Sequence, residues 1–325
     1  MALKNSVLSA LNNNKGSYIS GEQLSTDMGV SRTAVWKAIN ALRDDGHIIE
    51  AVTNKGYKLA DINGSLTEMS VRASLHPKHR KIDIHVFDSI GSTNTYAKQL
   101  AVKGAPHGTV VLSQTQTDGR GRLGRSFHSP KSGIYLSIII KPDFDLTGAG
   151  LVTTAAATAV VCAIEDVCGL DAGIKWVNDI YINDKKVCGI LSEGVTDFET
   201  GHIESIIIGI GINTDVGDFP EELLSIAGAV EGDYSKSALA AEVISRTLDL
   251  MNDLDDRSFI EIYRNRSIVI GKNITVYKGI YKTSPNEVPS RPARVLDIDD
   301  DGGLLVIYSN GERETLTSGE ISIRL

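Results

Sequence analysis

The sequence predicts an α+β protein of three segments: an N-terminal winged helix-turn-helix, a central mixed α/β domain and a small C-terminal SH3-like β-barrel. Three observations predict it. Two short helical periods around a glycine, followed by a switch to strand period, fill residues 1–62. Helices and strands mix over 66–266, and 267–325 is a series of short β-rich runs broken by turns. At 325 residues, 42% hydrophobic and 23% charged, the chain is long enough for two or three domains with their own cores.

In SGEQLSTDMGVSRTAVWKAINALRDDG, Ser20 is placed to cap a first helix with Leu24 and Met28 on one face, and Gly29 to end it. Ser31 is placed to cap a second helix, whose Val35, Ile39 and Leu42 recur at helical spacing. HIIEAVTNKGYKLA then reads as two strands around an Asn54-Lys55-Gly56 turn, a wing. In such a layout the second helix enters the major groove of DNA. Ser31, Arg32, Thr33, Trp36, Lys37 and Asn40, with Lys55 on the wing, are the candidate DNA contacts. Packing against a protein partner is the alternative. DINGSLTEMS is the expected linker.

In the central domain, strands are expected near Ile82–Phe87, Thr109–Gln114, Ile134–Ile140, Ile174–Trp176, Asp179–Ile182, Val187–Glu193 and Ser205–Ile212. Helices are expected at Asn94–Lys103, Leu146–Val167 and Ser237–Asn265.

Charge and composition narrow the function. The net charge is −8, yet residues 1–60 carry seven Lys/Arg against five Asp/Glu, so nucleic acid would be met through the N-terminal segment. The apolar stretch Leu151–Ile164 is broken by threonines and reads as a buried helix, so no membrane is expected. Cys162, Cys168 and Cys188 form no CxxC pair, which argues against a disulfide framework or zinc site and for a cytoplasmic location.

DGRGRLGRSFHSP, from Asp118 to Pro130, holds Gly119, Gly121 and Gly124 and the arginines Arg120, Arg122 and Arg125. GRGRLG satisfies the dinucleotide pattern GxGxxG, but that fingerprint needs a helix starting within the glycines, and here the chain runs into SFHSP. The loop is expected to be mobile when empty and to fold around an anion, its guanidinium forks being suited to phosphate. A basic surface loop without a specific ligand is the alternative.

Upstream, Ser92-Thr93-Asn94 mark a strand-to-helix junction, where they can cap the helix or offer hydroxyl and amide partners to a polar ligand. Downstream, KWVNDIYINDKKVCGILSEG supplies Lys175, Asn178, Asp179 and Lys186, and IIIGIGINTD is a buried strand ending in glycines and Asn213. Taken in order, STN, Q-x-x-GRGRxGRxF-x-SP, KWxND, KKxxG and GxGxN resemble the biotin–protein ligase family. With the winged helix in front, the chain is similar to the family's bifunctional members, ligases that also repress the biotin operon.

That resemblance covers essentially the whole length and implies a class II synthetase-like central domain. It implies an enzyme that joins biotin and ATP, with Mg2+, into biotinyl-5′-AMP and passes biotin to a lysine of biotin carboxyl carrier protein. It also implies operator DNA as a partner, biotinyl-5′-AMP as corepressor and a ligand-promoted homodimer. Carried over by motif, Lys186, Arg120 and Arg122 are the catalytic candidates. Ser92, Thr93, Asn94, Gln116, Gly119, Gly121 and Gly189 join them as candidates for binding biotin and its adenylate. Arg125, Phe127, Asn178 and Asn213 are adenylate candidates, and Asp179 is the candidate for magnesium or triphosphate, with turn capping as its other reading. Val177 stands where the family usually has proline, Leu123 where it often has arginine and Phe127 where tryptophan is frequent.

The chemistry needs such a set. A carboxylate must approach an α-phosphate, and two such anions at about 4 Å repel by about 4 kcal/mol at an effective dielectric near 20. Two other readings stay open: a transcription factor that senses biotin or an adenylate without turnover, and an enzyme of the lipoate ligase kind.

Overall fold

The computed structural model describes residues 3–14, 17–44, 49–53, 55–59, 66–142, 149–196, 202–277, 290–317 and 320–323. The chain divides into two compact units, residues 1–80 with 234–241, and residues 81–233 with 242–325.

The first unit begins with α1 (Leu3–Asn13), α2 (Gly21–Met28) and α3 (Arg32–Asp44). Ser20 Oγ accepts the Gln23 N–H at 3.0 Å, and Gly29 closes α2 in the left-handed region at φ 63°. Ser31 Oγ accepts the Ala34 N–H at 3.2 Å and starts α3. Val7, Leu11, Leu24, Val35, Ile39 and Leu42 are buried together with Ile49 and Leu59 from β1 (Ile49–Val52) and β2 (Gly56–Leu59), an antiparallel wing. Arg43 reaches the Ile49 carbonyl at 2.6 Å and fixes the wing to α3. Asn54, in the expected turn, lies outside the described residues, as do residues 61–65 of the expected linker. Its last three residues are helical: Thr67 and Ser70 form a capping box that starts α4 (Glu68–Ser74).

The second unit holds a seven-stranded sheet. Its elements in chain order are β3 (Ile84–Phe87), α5 (Thr93–Val102), β4 (Val110–Ser113), β5 (Ile134–Ile140), α6 (Ala149–Cys168), β6 (Gly173–Lys175), β7 (Asp179–Ile182), β8 (Lys185–Thr196) and β9 (Ile203–Ile212). Strand order is β3-β4-β5-β9-β8-β7-β6, with β3 and β4 parallel and the other pairs antiparallel. The one parallel pair is joined by α5, the crossover helix that such a connection requires. Ala97 and Ala101 of α5 pack on Val111, Ile139 and Ile207 of three adjacent strands.

The expected start of the next helix at Leu146 lies outside the described residues. By length and composition α6 is apolar enough to cross a bilayer, longer than the run read from the sequence, but it is a core helix: 67% of that stretch is buried in the protein. A short α7 (Glu221–Leu224) precedes α8 (Lys236–Asn252) and α9 (Ser258–Asn265). The single helix expected over Ser237–Asn265 is therefore two. The first helix ends at Asn252; Asp256 accepts the Ser258 N–H at 3.1 Å and its hydroxyl at 3.2 Å in the turn that follows, and the buried stripe restarts at Phe259, Ile260 and Tyr263.

The C-terminal β-segment is five antiparallel strands, β10 (Asn273–Tyr277), β11 (Ser290–Ile298), β12 (Leu304–Tyr308), β13 (Arg313–Leu316) and β14 (Glu320–Ile323), in the order β13-β12-β11-β10-β14. The acidic β11–β12 turn is tied to the central sheet. Arg264 of α9 donates to the Ile298 carbonyl and Asp300 Oδ1, both at 2.5 Å, and Trp176 Nε1 donates to the Gly302 carbonyl at 2.9 Å.

Candidate active site

Register decides what the central sheet presents beside α5. Ser137 of β5 pairs with Gly209 of β9, which pairs with Leu191 of β8; the next same-face row is Tyr135, Gly211 and Gly189. The glycines leave a floor without side chains. A Cβ on Gly211 would come 2.6 Å from the Phe127 ring, one on Gly189 3.1 Å from it, and one on Gly209 would overlap the Asn94 amide. The cavity lined by this floor has a volume of about 240 Å³.

At one end sits the N-terminus of α5. Ser92 is its N-cap, and its hydroxyl accepts the Thr95 N–H at 3.4 Å. The Thr93 N–H and hydroxyl both donate to Gln116 Oε1, at 2.8 and 3.1 Å, and Gln116 Nε2 reaches Ser129 Oγ at 3.1 Å. Asn94 receives the Ser137 hydroxyl on Oδ1 at 2.6 Å and donates from Nδ2 to Glu193 Oε2 at 2.8 Å. Ser92, Thr93, Asn94, Ser129 and Ser137 are buried and Gln116 and Glu193 half-buried, so their bonds fix their directions.

The other end is cationic. The β7–β8 register slips by one residue at Val187, so that Lys186 pairs with Tyr181 and Gly189 with Asp179. This bulge brings Lys186 onto the pocket face, where Nζ meets Asp179 Oδ1 at 2.6 Å. Asn178 is fixed by donating from Nδ2 to the Ile190 carbonyl at 2.8 Å and accepts Arg122 Nη1 at 3.1 Å. The glycine-arginine loop folds on itself: the Gly121 N–H donates to the Arg125 carbonyl at 2.7 Å and the Phe127 N–H to the Gly119 carbonyl at 2.9 Å. Its glycines open no α-helix; Arg122–Gly124 is a 3-10 turn with Leu123 at φ 59°.

The cavity brings together Ser92, Thr93, Asn94, Gln116, Arg120, Gly121, Arg122 and Arg125. Phe127, Asn178, Asp179, Lys186 and Gly189 complete the predicted residues that line it. Gly119 and Asn213 are not among the lining residues. Gly119 has no room for a side chain, since a Cβ would come 2.5 Å from the Phe127 carbonyl. Asn213 is buried behind β8, its Nδ2 donating to the carbonyls of Gly228 at 3.0 Å and Lys186 at 3.4 Å, which holds the catalytic candidate's backbone. Sequence reasoning missed Gly209, Gly211, Trp176 and Ser126 as lining residues. The two glycines were signalled by the alternation IGIGI; Trp176 carried no signal beyond its place in KWVND.

Behind the lining lie phenols and a thiol: Tyr135, Tyr181 and Cys188. Burial pushes Tyr181 up to about 12, with the Asp179 carboxylate adding to it, and burial raises Tyr135 and Cys188 further. None is poised to lose a proton near neutrality. Asp179 is the one carboxylate among the described lining residues, and no cluster of three His, Cys, Asp or Glu among the described residues could hold a metal ion.

In the first unit Ser31, Arg32, Thr33, Lys37 and Lys55 are exposed and Asn40 is half-buried. Trp36 is 53% exposed, an unusual position for an indole on a helix whose other face is core.

Three family models match the chain: the Biotin/lipoate A/B protein ligase family over residues 86–213, an HTH domain over 4–58 and the Biotin protein ligase C terminal domain over 289–324. The Bifunctional ligase/repressor BirA of Bacillus subtilis is 43% identical over 232 residues, 70% of this chain and 69% of that protein. Its Escherichia coli counterpart is 27% identical over 321 residues, 95% of this chain and 94% of that protein. In fold, the chain is similar to a biotin protein ligase from Aquifex aeolicus solved with biotin and ATP, with a TM-score of 0.62 and 24% identity over 74% of this chain and 98% of that one.

Proposed function

We propose that this chain, which belongs to the biotin protein ligase family, is an ATP-dependent biotin ligase that also represses transcription through its N-terminal domain. One observation carries the reading: a glycine-floored cavity joins a buried hydrogen-bonding set at the α5 terminus to a cationic end made of Lys186, Arg120, Arg122 and Arg125. The first end suits a small polar head group and the second suits a carboxylate meeting a phosphate.

In the first step a biotin carboxylate oxygen bonds to the α-phosphorus of ATP, and the bond from that phosphorus to the bridging oxygen breaks to release pyrophosphate. Lys186, Arg120 and Arg122 oppose the repulsion between the two anions and hold them in line. In the second step the neutral amine of a carrier lysine attacks the acyl carbon. The bond to AMP breaks and the amine gives up a proton. No nucleophile is asked of the enzyme itself. Ser92, Thr93, Asn94, Gln116, Gly121 and Gly189 are assigned to biotin and its adenylate, and Arg125, Phe127 and Asn178 to the nucleotide. Gly119 and Asn213 support this set through the backbone. Magnesium would arrive as the ATP complex, with Asp179 the lining carboxylate able to join its shell. A single carboxylate already paired with Lys186 is not a resident metal site, and no step is routed through one.

The division of labour we assign is residues 1–62 to operator DNA, 66–266 to ligation and 267–325 to the C-terminal β-segment. The acceptor is biotin carboxyl carrier protein, and the compartment is the cytoplasm, in keeping with three free cysteines. Adenylate binding is proposed to favour a homodimer that sets two recognition helices at operator spacing. Pyrophosphate release from ATP with biotin, lipoate or no acid separates ligase, lipoate-type enzyme and silent sensor. Sedimentation with and without biotinyl-5′-AMP tests the dimer, and a ligand-indifferent state would remove the switch.

A further inference from the structure

The direction in which Asn94 faces is decided by a residue that does not line the cavity. Both Nδ2 hydrogens are committed, to Glu193 Oε2 at 2.8 Å and to the Leu191 carbonyl at 3.3 Å, and Oδ1 accepts from Ser137 at 2.6 Å. An amide has two N–H donors and two carbonyl lone pairs, so what Asn94 has left to offer is one acceptor site. Ser137 alone would not make that assignment, because a hydroxyl can donate or accept and its one hydrogen is also within reach of Thr93 Oγ1 at 2.8 Å; the Leu191 carbonyl, which only accepts, asks for the same orientation but over the longer 3.3 Å contact. Glu193 does, since an ionised carboxylate only accepts, and a flipped amide would set oxygen against oxygen. Glu193 Oε1 is held in turn by Lys98 Nζ of α5 at 2.6 Å. The register supplies the geometry: Glu193 faces Ile207, one same-face row beyond Leu191 and Gly209, and the missing side chain at Gly209 lets the amide lie against the sheet.

We propose that Glu193, held by Lys98, is a positioning residue that fixes Asn94 with its carbonyl oxygen as the acceptor offered to the ligand. The site thereby selects a head group that brings an N–H donor to that point: a cyclic urea is accepted, and the same ring with oxygen in place of that N–H is refused. The inference rests on the biotin-ligase reading. Lys98 also balances the Glu193 charge close to a cavity that must admit two anions.

The test uses the full-length protein, biotin, and the two cyclic carbamate analogues in which oxygen replaces one or the other ureido N–H. The wild type refuses at least one analogue by about 100-fold or more in kcat/KM for adenylate formation. Glu193→Leu raises the biotin KM about tenfold, leaves the ATP KM and kcat within about twofold, and shrinks the analogue discrimination by about tenfold. The double variant K98M/E193Q keeps an uncharged acceptor facing Asn94, and it returns the biotin KM to within about threefold of wild type. Equal use of biotin and both analogues by the wild type overturns the proposal. So do an unchanged biotin KM and discrimination in Glu193→Leu, or failure of the double variant to restore them. If Glu193→Leu does not fold, Glu193→Gln carries the test: Lys98, still present, draws the new amide's oxygen and turns its NH2 group toward Asn94, so discrimination falls if Glu193 sets the polarity, and unchanged discrimination overturns the proposal. A wild type without biotin-dependent turnover removes the underlying reading instead.

Discussion

Lys186 Nζ lies 2.6 Å from Asp179 Oδ1, a pairing made possible by the one-residue bulge between β7 and β8. On the proposed function, the pair holds the lysine on the pocket face, and a substrate carboxylate would take the place of Asp179. Lys186→Ala is expected to slow adenylate formation by about 10²–10³-fold in single-turnover measurements. Asp179→Asn should cost less, because it frees the lysine without removing it. Equal losses in the two variants would assign Asp179 a role of its own.

The glycine floor gives a second prediction. Gly209→Ala forces the Asn94 amide off the sheet, and biotin affinity measured by calorimetry should fall about tenfold or more, an overpacking cost of about 1–3 kcal/mol being ample for that. Gly211→Ala displaces Phe127 instead, and should shorten adenylate retention more than it weakens biotin binding. The two variants exchanged in their effects would invert the assignment of the cavity's ends.

Arg122→Ala removes the bond to Asn178 at 3.1 Å and one cation from the loop. We expect strongly reduced adenylate formation or retention with an unchanged melting temperature, since the side chain supports no core. Wild-type rates in this variant would refute the loop's role.

The buried thiols give a test at alkaline pH. Burial holds Cys168 up at about 12, and also raises Cys162 and Cys188. At pH 8 the Cys168 thiolate fraction is about 1 in 10⁴, so iodoacetamide labelling of the native protein should be slow and become fast on unfolding. The sign for stability follows: the folded state keeps protons that the unfolded chain releases above the ordinary thiol range near pH 9. That contribution is full below pH 9 and is lost as pH climbs toward 12, so denaturant midpoints should fall over that window.

In the first unit, Lys37 and Arg32 are exposed on α3. Lys37→Ala should weaken operator binding and lower the salt slope by about one, with the ligation rate unaltered. A matching loss of ligation would mean that the substitution disturbs more than the DNA contact.

Much of this was legible because it depends on local patterns. Ser20, Gly29 and Ser31 announce their helices by capping chemistry alone, and the site residues around Arg122 and Lys186 were legible through the run of short motifs that resembles the family, each motif lying on one strand, junction or loop. What escaped depends on tertiary context. The break at Asp253–Arg257 lies inside an otherwise unbroken helical period, and it is marked in the fold by the Asp256 contacts to Ser258 and the Arg257 contact to the Asp300 carbonyl at 3.0 Å. Gly209 and Gly211 read as strand residues until the pairing shows which side chains need their space. Glu193 and Lys98 are each an ordinary surface-type residue, far apart in sequence, and nothing short of the fold brings them to Asn94.

The most direct test of the central claim is biotin-dependent exchange of labelled pyrophosphate into ATP by the purified full-length chain, followed by transfer of biotin to a carrier domain. Exchange is expected with biotin and Mg2+, none with lipoate or octanoate, and label on a single carrier lysine. Exchange with lipoate in place of biotin, or no exchange with either acid, would contradict it.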